Sequence, residues 1–491
     1  MTANARELLA LVLDDGSFES WDEPIDVSGH PDAYRATLER AAEKAGTDES
    51  VLTGRGLMRG RPVAVLANEF GFLAGSIGRA AADRIAAAVR RATAEGLPVL
   101  ATTASGGTRM QEGTPAFVRM IEISRALMAH RAAGLPYLVY LRNPTLGGVF
   151  ASWGSLAHVT VAEPGALVGF LGPKVYEALN GEPFPSGVQT AENLAARGVI
   201  DAVVAAEDLP ELVDRALAVL VDDPDEPTLP RRTGEVGNEG SAWASIEHTR
   251  ADGRVSVRDL LRHAGSRTLR LAGTDEGERD ETLIVALTRL DGQPCVVVGQ
   301  DRTRQTPQTP MGPGALREAR RGMRLAEELG LPLVTVIDTP GAALSRHAEE
   351  RAIAGEIARC IAEMVTMTVP TLSVVLGQGC GGGALALLPA RTVIAAENAW
   401  LSPLPPEGAS AIVHHGDTSH AAEMSEQQEV RAIDLHRSGT VHHVVPEVVG
   451  ETAEQLALAV AAECAVRLRE MTKPVECPGA VLCTCQTRRH S

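Results

Sequence analysis

Lysine is almost missing from this 491-residue chain: Lys44, Lys174 and Lys473 are the only three among 46 cationic side chains. Aromatic residues are scarce as well, at 3%, which argues against a base-stacking surface for nucleic acid. A formal charge of −17 opposes a duplex or another polyphosphate as the main partner. No basic stretch followed by an apolar core opens the sequence, and no unbroken apolar run is long enough to span a bilayer. These absences predict a cytoplasmic protein with no nucleic-acid or membrane partner. The seven cysteines are an odd number and mostly scattered, which suits a reducing compartment. The last three form Cys477-x5-Cys483-x-Cys485, a spacing that matches no standard zinc site. Residues 476–491 therefore read as a disordered tail with free thiols, and no bound metal is expected.

Side-chain catalytic signatures are missing too. No Gly-Lys-Ser/Thr follows a glycine loop, no Gly-x-Gly-x-x-Gly fits well after a first strand, and no Gly-x-Ser-x-Gly elbow marks a nucleophile. Ser105 and Ser152 have no histidine near them in sequence. His414-His415 and His442-His443 lie in polar, loop-like surroundings. Glu112, Glu163 and Glu397 sit beside glycine turns, where capping a helix or pairing with arginine is the natural role.

What is present is repetition. Gly96-Leu-Pro-Val-Leu-Ala-Thr-Thr-Ala-Ser-Gly-Gly107 is echoed by Gly330-Leu-Pro-Leu-Val-Thr-Val-Ile-Asp-Thr-Pro-Gly341. Leu135-Pro136 recurs as Val369-Pro370, Gly147-Gly148 as Gly381-Gly382, and Ala162-Glu163 as Ala396-Glu397. The offsets 330 − 96, 369 − 135, 381 − 147 and 397 − 163 are all 234. One offset across four landmarks predicts two copies of one α/β domain. Strands are expected near 61–67, 98–103, 137–141 and 159–162, with helices over 4–14, 77–94 and 115–133 and another opened by Gly147. The second copy repeats the order, with helices over 314–329 and 349–367 and a helix start over 381–388. Strands alternating with helices imply parallel βαβ units. Pro, Gly and charge crowd residues 222–240, which read as a linker between domains at 1–221 and 241–475.

The glycines follow strands. Ser105-Gly106-Gly107-Thr-Arg109 and Leu146-Gly147-Gly148 mark the first copy. Asp338-Thr-Pro-Gly341-Ala342 and Cys380-Gly381-Gly382-Gly383 mark the second. A single Gly-Gly pair is more often just a tight turn. Two such turns repeated in register could instead converge their backbone N–H groups on one oxygen. Two copies would give two oxyanion holes. Periodicity supplies that scaffold and no substrate.

At these residues the sequence closely resembles the carboxyltransferase component of biotin-dependent acyl-CoA carboxylases. The first half is similar to the bacterial β subunit through Phe70-Gly-Phe-Leu-Ala-Gly-Ser-Ile-Gly78, Ser105-Gly-Gly-Thr-Arg-Met-Gln-Glu-Gly113 and Asn143-Pro-Thr-Leu-Gly-Gly-Val149. The second is similar to the α subunit through Ile337-Asp-Thr-Pro-Gly-Ala342, Gly377-Gln-Gly-Cys-Gly-Gly-Gly-Ala384 and Glu397-Asn-Ala-Trp400. The resemblance covers about residues 5–450 and implies two tandem crotonase-like domains of the α/β class, with β-like and α-like halves fused. It implies transfer of a carboxyl group from carboxybiotin to an acyl-CoA, with acetyl-CoA as first choice. Malonyl-CoA, a precursor of fatty acids and polyketides, would be the product. Gly107, Gly147 and Gly148 would serve the thioester, and Gly341, Gly381, Gly382 and Gly383 the biotin carbonyl. Ser105, Gly106, Arg109, Ala342 and Cys380 would contribute to binding.

Neither a Met-Lys-Met biotinylation site nor an ATP-grasp region is present. Biotin would therefore arrive on a carrier protein loaded by a separate biotin carboxylase, and an obligate homo-oligomer is implied. Cys380 replaces the family's serine, and Ala343-Leu344 replaces its Tyr-Pro. Propionyl-CoA or a specialised acyl-CoA, a decarboxylase, and a non-catalytic scaffold remain as alternatives.

Overall fold

The computed structural model describes residues 4–234, 237 and 240–472; the expected tail, with its three cysteines, lies outside them. The first half contributes strands β1 (Glu19–Ser20), β2 (Val51–Met58), β3 (Arg61–Asn68), β4 (Val99–Ser105), β5 (Tyr137–Leu146), β6 (Val159–Ala162), β7 (Val168–Gly169) and β8 (Ala202–Val203). The second contributes β9 (Gly265–Leu271), β10 (Leu283–Leu290), β11 (Gln293–Gln300), β12 (Leu333–Thr339), β13 (Thr371–Cys380), β14 (Thr392–Ala396), β15 (Trp400–Ser402) and β16 (His443–Val445). The sheets run β1-β2-β3-β4-β5-β6-β8 with β7 on β5, and β9-β10-β11-β12-β13-β14-β16 with β15 on β13. Each strand of one half thus has its counterpart in the other. In both, an antiparallel hairpin leads into parallel pairing from its third strand onward. The expected βαβ repeat is present, helices Arg79–Glu95 and Pro313–Leu329 being equivalent crossovers.

Two expected helices differ. No α-helix starts at Gly147; the chain turns and then makes a single 3-10 turn, Trp153–Ser155. Ser152 Oγ bonds back to the Gly148 carbonyl at 2.5 Å, competing with the continuation of a helix. The helix expected over 349–367 is split into Arg346–Glu350 and Ile353–Thr366 by Ala352, at φ +62°.

Strand alternation builds three cores from two sheets. Leu283, Val285 and Leu287 of β10 face one core, while Ile284 and Ala286 face another. In β3, Val63 and Val65 point to that same first core, and Ala64 and Leu66 to a third. The first core is therefore shared: Leu138 and Tyr140 of β5 belong to one apolar cluster with Val296 and Val298 of β11. Helix Leu209–Leu220 closes the first half yet packs on β9 and β10 of the second. The 222–240 stretch carries no regular element among its described residues and is tied down at several points. Thr228 and Leu229 donate their N–H groups to Asp291, and Arg231 pairs with Glu463. No described helix is long and apolar enough to cross a membrane.

A buried ion pair joins the halves. Arg321 reaches both carboxylate oxygens of Asp201, at 2.9 and 3.1 Å, and donates to the Ala272 and Gly273 carbonyls. Asp201 also accepts the N–H groups of Thr160 and Ala272. Removing one partner leaves a buried charge uncompensated, at a cost of about 3–5 kcal/mol. Arg321→Met is thus expected to lower the urea midpoint markedly, measured by circular dichroism. Nearby, burial pushes the Glu318 carboxyl up to about 8, so the folded chain prefers it protonated. Its contribution to stability is largest below the ordinary carboxyl value and is lost as pH rises towards 8. Between pH 5 and 8.5 the melting temperature of Glu318→Gln should fall less than that of the parent.

Candidate active site

The first site begins with a break in strand register. β4 and β5 pair in step from Val99↔Tyr137 to Thr103↔Leu141, and then Ser105 meets Thr145 across an irregularity. Beyond it the two strands turn separately, and the turns touch. A Cβ on Gly147 would lie 3.3 Å from Gly107 Cα, and one on Gly107 would lie 3.6 Å from Gly148 N. Gly107 at φ +107° and Gly147 at φ +63° hold conformations that residues with side chains rarely adopt. Ser105 Oγ accepts the Gly107 N–H at 3.0 Å. Ile77 donates to the Gly107 carbonyl and accepts from the Arg109 N–H. Between these anchors the N–H of Thr108, like that of Gly148, finds no protein acceptor among the described residues.

The second half repeats this arrangement in detail. β12 and β13 stay in step to Ile337↔Val375 and then shift, so that Thr339 meets Gly379. Thr339 Oγ1 accepts the Gly341 N–H at 3.1 Å. Met311 bridges to Ala342 as Ile77 does to Thr108, and it accepts the Ala343 N–H at 2.8 Å. A Cβ on Gly383 would come within 3.2 Å of Ala342 N. Gly382 and Gly383 occupy the first turn of helix Gly381–Leu385, where backbone donors have no partner inside the helix.

Each site thus juxtaposes the N–H groups of two turns: Thr108 with Gly148, and Ala342 with Gly382 and Gly383. The Gly107 and Gly341 N–H groups are taken by the Ser105 and Thr339 hydroxyls, so Thr108 and Ala342 carry the free donors in those turns. Thr108 escaped sequence reasoning because nothing but the geometry singles it out. Gly106 lines the first cavity and fixes its own turn by donating to the Ala74 carbonyl.

Two of the expected binding residues, Arg109 and Cys380, are buried. The Arg109 guanidinium, 1% exposed, pairs with Glu49 and Glu112, donates to the Ser76 carbonyl and lies over Phe72. It braces the turn from behind. Glu112 also accepts from the Tyr34 hydroxyl and the Arg79 N–H, the pairing role its position suggests. Cys380, also 1% exposed, packs its sulfur under Gly341 and beside Trp400. Burial pushes its thiol up to about 12, so it is an inert packing group. Ala343 stands at the position equivalent to Arg109, so the second turn lacks that bidentate brace. Asp338 lies at its base, 3.9 Å from Arg302 Nε. Its Oδ1 accepts the Gln378 N–H at 3.0 Å, and burial raises its carboxyl to about 7.

A cavity of about 1040 Å³ opens beside the first pair of turns. Thr108, Gly148, Ser152 and Leu146 form its floor, Met110, Phe117 and Ile121 one wall, and Phe170 to Val175 another. Lys174, one of the three lysines, stands on this second wall. The large apolar side chains at the mouth are open to solvent: Met110, Phe117, Ile121 and Phe170 are all more than half exposed. Among the described residues, no cluster of His, Cys, Asp or Glu is arranged to hold a metal ion.

The carboxyl transferase domain model matches residues 3–459. A probable biotin-dependent acyl-coenzyme A carboxylase beta3 subunit from Mycobacterium tuberculosis is 56% identical over 464 residues, 93% of each chain. The acetyl-coenzyme A carboxylase carboxyl transferase subunits beta/alpha of Saccharopolyspora erythraea is 37% identical over 483 residues, 96% of this chain and 85% of the relative. Among solved structures, the hexameric transcarboxylase 12S core superimposes with a TM-score of 0.75 at 22% identity, covering 98% of this chain and 93% of the other. A single-chain, multi-domain long-chain acyl-CoA carboxylase gives 0.75 at 17% identity, covering 95% and 46%. These likenesses establish the fold as two crotonase-like halves. With the family model spanning nearly all of the described residues, the chain belongs to the carboxyl transferase family of biotin-dependent acyl-CoA carboxylases.

Proposed function

We propose that this enzyme transfers a carboxyl group from carboxybiotin to the α-carbon of an acyl-CoA through two backbone oxyanion holes. The observation that carries the reading is the duplicated pair of N–H groups, Thr108 with Gly148 and Ala342 with Gly382. The reaction develops negative charge on two carbonyl oxygens, the thioester's and the biotin ureido's, and needs no protein nucleophile. Preorganised backbone donors are suited to that task because they need not reorganise as the charge appears. The first half, whose turns open on the 1040 Å³ cavity beside Lys174, holds the acyl-CoA. The second half takes the biotin carbonyl, and a side chain on Gly383, whose Cβ would lie 3.2 Å from Ala342 N, would crowd it. Biotin supplies the carboxyl group when it arrives on its carrier protein, charged by a separate biotin carboxylase.

Acetyl-CoA is the first-choice acceptor, giving malonyl-CoA. The volume and apolar walls of the cavity favour a second reading, a larger acyl-CoA such as propionyl-CoA or a longer chain. An obligate homo-oligomer accounts for the exposed apolar side chains. Met110, Phe117 and Phe170 line the first site and Leu344 follows the second turn, and such patches mark contact surfaces. The first half of one copy would then face the second half of another. Four buried free thiols, Cys295, Cys360, Cys380 and Cys464, suit a reducing cytoplasm.

Purified protein supplied with its biotin carrier and carboxylase should carboxylate at least one acyl-CoA in a panel from acetyl to long-chain. Binding of acyl-CoA with no turnover on any member would favour a scaffold instead. Gly148→Val would drive a side chain into Met120, whose sulfur lies 2.5 Å from the Cβ position. Loss of one oxyanion donor costs about 10²–10³ in rate, and this variant should lose that much acyl-CoA turnover. Gly382→Val, crowding Ile357, should cost as much in biotin-dependent turnover while acyl-CoA affinity, measured by calorimetry, is retained.

A further inference from the structure

The two halves brace equivalent turns in different ways, and the difference singles out Gln300. In the first half Arg109, anchored on Glu49, holds the turn that carries Thr108. The second half, with Ala343 in that place, uses amides. Gln300 is fully buried at the end of β11. Its Oε1 accepts the Asp338 N–H at 3.1 Å, and its Nε2 donates to the Gly383 carbonyl at 2.7 Å. One side chain therefore ties the base of the Thr339-Pro340-Gly341 turn to the Gly381–Gly383 turn. Gln305 adds a second link on the first of these, accepting the Thr339 hydroxyl at 2.6 Å and donating to the Asp338 carbonyl at 3.2 Å. Asn68, at the corresponding end of β3, makes no such bridge; its amide donates to the Ser50 carbonyl at 3.2 Å.

We infer that Gln300 is a positioning residue of the second site, setting the spacing between the Ala342 and Gly382 N–H groups. The inference rests on the proposed use of those donors for the biotin oxygen. Both ends of the amide meet backbone groups of the two turns, and the side chain is sealed from water. Loss of the link leaves a buried N–H and a buried carbonyl unpaired, and the turns must shift to satisfy them. Displacing catalytic groups by about 1 Å can cost roughly 10²-fold in rate.

Two nearly isosteric variants test it. Gln300→Met removes both hydrogen bonds, while Gln300→Glu keeps the acceptor and loses the donor to Gly383. Either variant that folds decides the question. The expected result is a 10- to 100-fold fall in kcat for biotin-dependent turnover, with KM for acyl-CoA within twofold of the parent. Crystal structures of the variant and the parent should show the Thr339–Gly341 and Gly381–Gly383 turns further apart in the variant. A folded variant with parental kcat and unmoved turns overturns the inference, as does a rise in acyl-CoA KM that matches the fall in kcat. Should the parent itself show no biotin-dependent turnover, the functional reading fails. The crystallographic spacing still decides whether Gln300 is the tie.

Discussion

Both sites depend on one constraint, the loss of register between two neighbouring parallel strands just before they end. Up to Thr103 and Ile337 the strands are locked by an ordinary ladder, and every side chain is buried. Past the break, Ser105 and Thr339 substitute hydroxyls for ladder partners and hold the glycine two residues on. The chain can then present a backbone N–H outward, where a ligand can reach it, without unfolding the sheet behind. Ligands in open α/β sheets are generally held beyond the carboxyl ends of the strands. Here the mouth of the site is the gap where adjacent strands part.

The same frame carries two kinds of brace. A charged network, Glu49–Arg109–Glu112, stands behind the first turn, and two side-chain amides, Gln300 and Gln305, hold the Asp338 main chain behind the second. The charged brace is stiff and costly to desolvate, and it is worth its burial only with every donor matched. The amide brace buries no charge of its own and so asks less of its surroundings. Duplication thus preserved the hydroxyl–glycine anchor and the backbone bridge from Ile77 or Met311, while the supporting side chains diverged.

Much of this was legible in the sequence because it is periodic. The 234-residue echo located both pairs of turns and the βαβ order that leads into them. The split at Ala352 and the turn after Gly147 were not legible, since each depends on local backbone geometry that carries no periodic signal. Arg109 and Cys380 stand in conspicuous motifs, but a motif records that a residue type is required and is silent on which way it points. Both point inward. Thr108 and Gln300 show the converse: one offers only its main chain and the other meets its partners 38 and 83 residues away, so neither has a local pattern to betray it.

The shared core also bears on how the chain is made. Helix Leu209–Leu220 buries its apolar face against β9 and β10, and β3 and β5 face a core that β11 completes. When this helix leaves the ribosome its cover has not yet been synthesised. The roughly 80 residues from Leu220 to Gln300 take about 4–16 s at typical translation rates. Through that interval the first half must keep an apolar surface exposed or shielded by a chaperone. A ribosome stalled near the 222–240 stretch would release an aggregation-prone half rather than a finished domain.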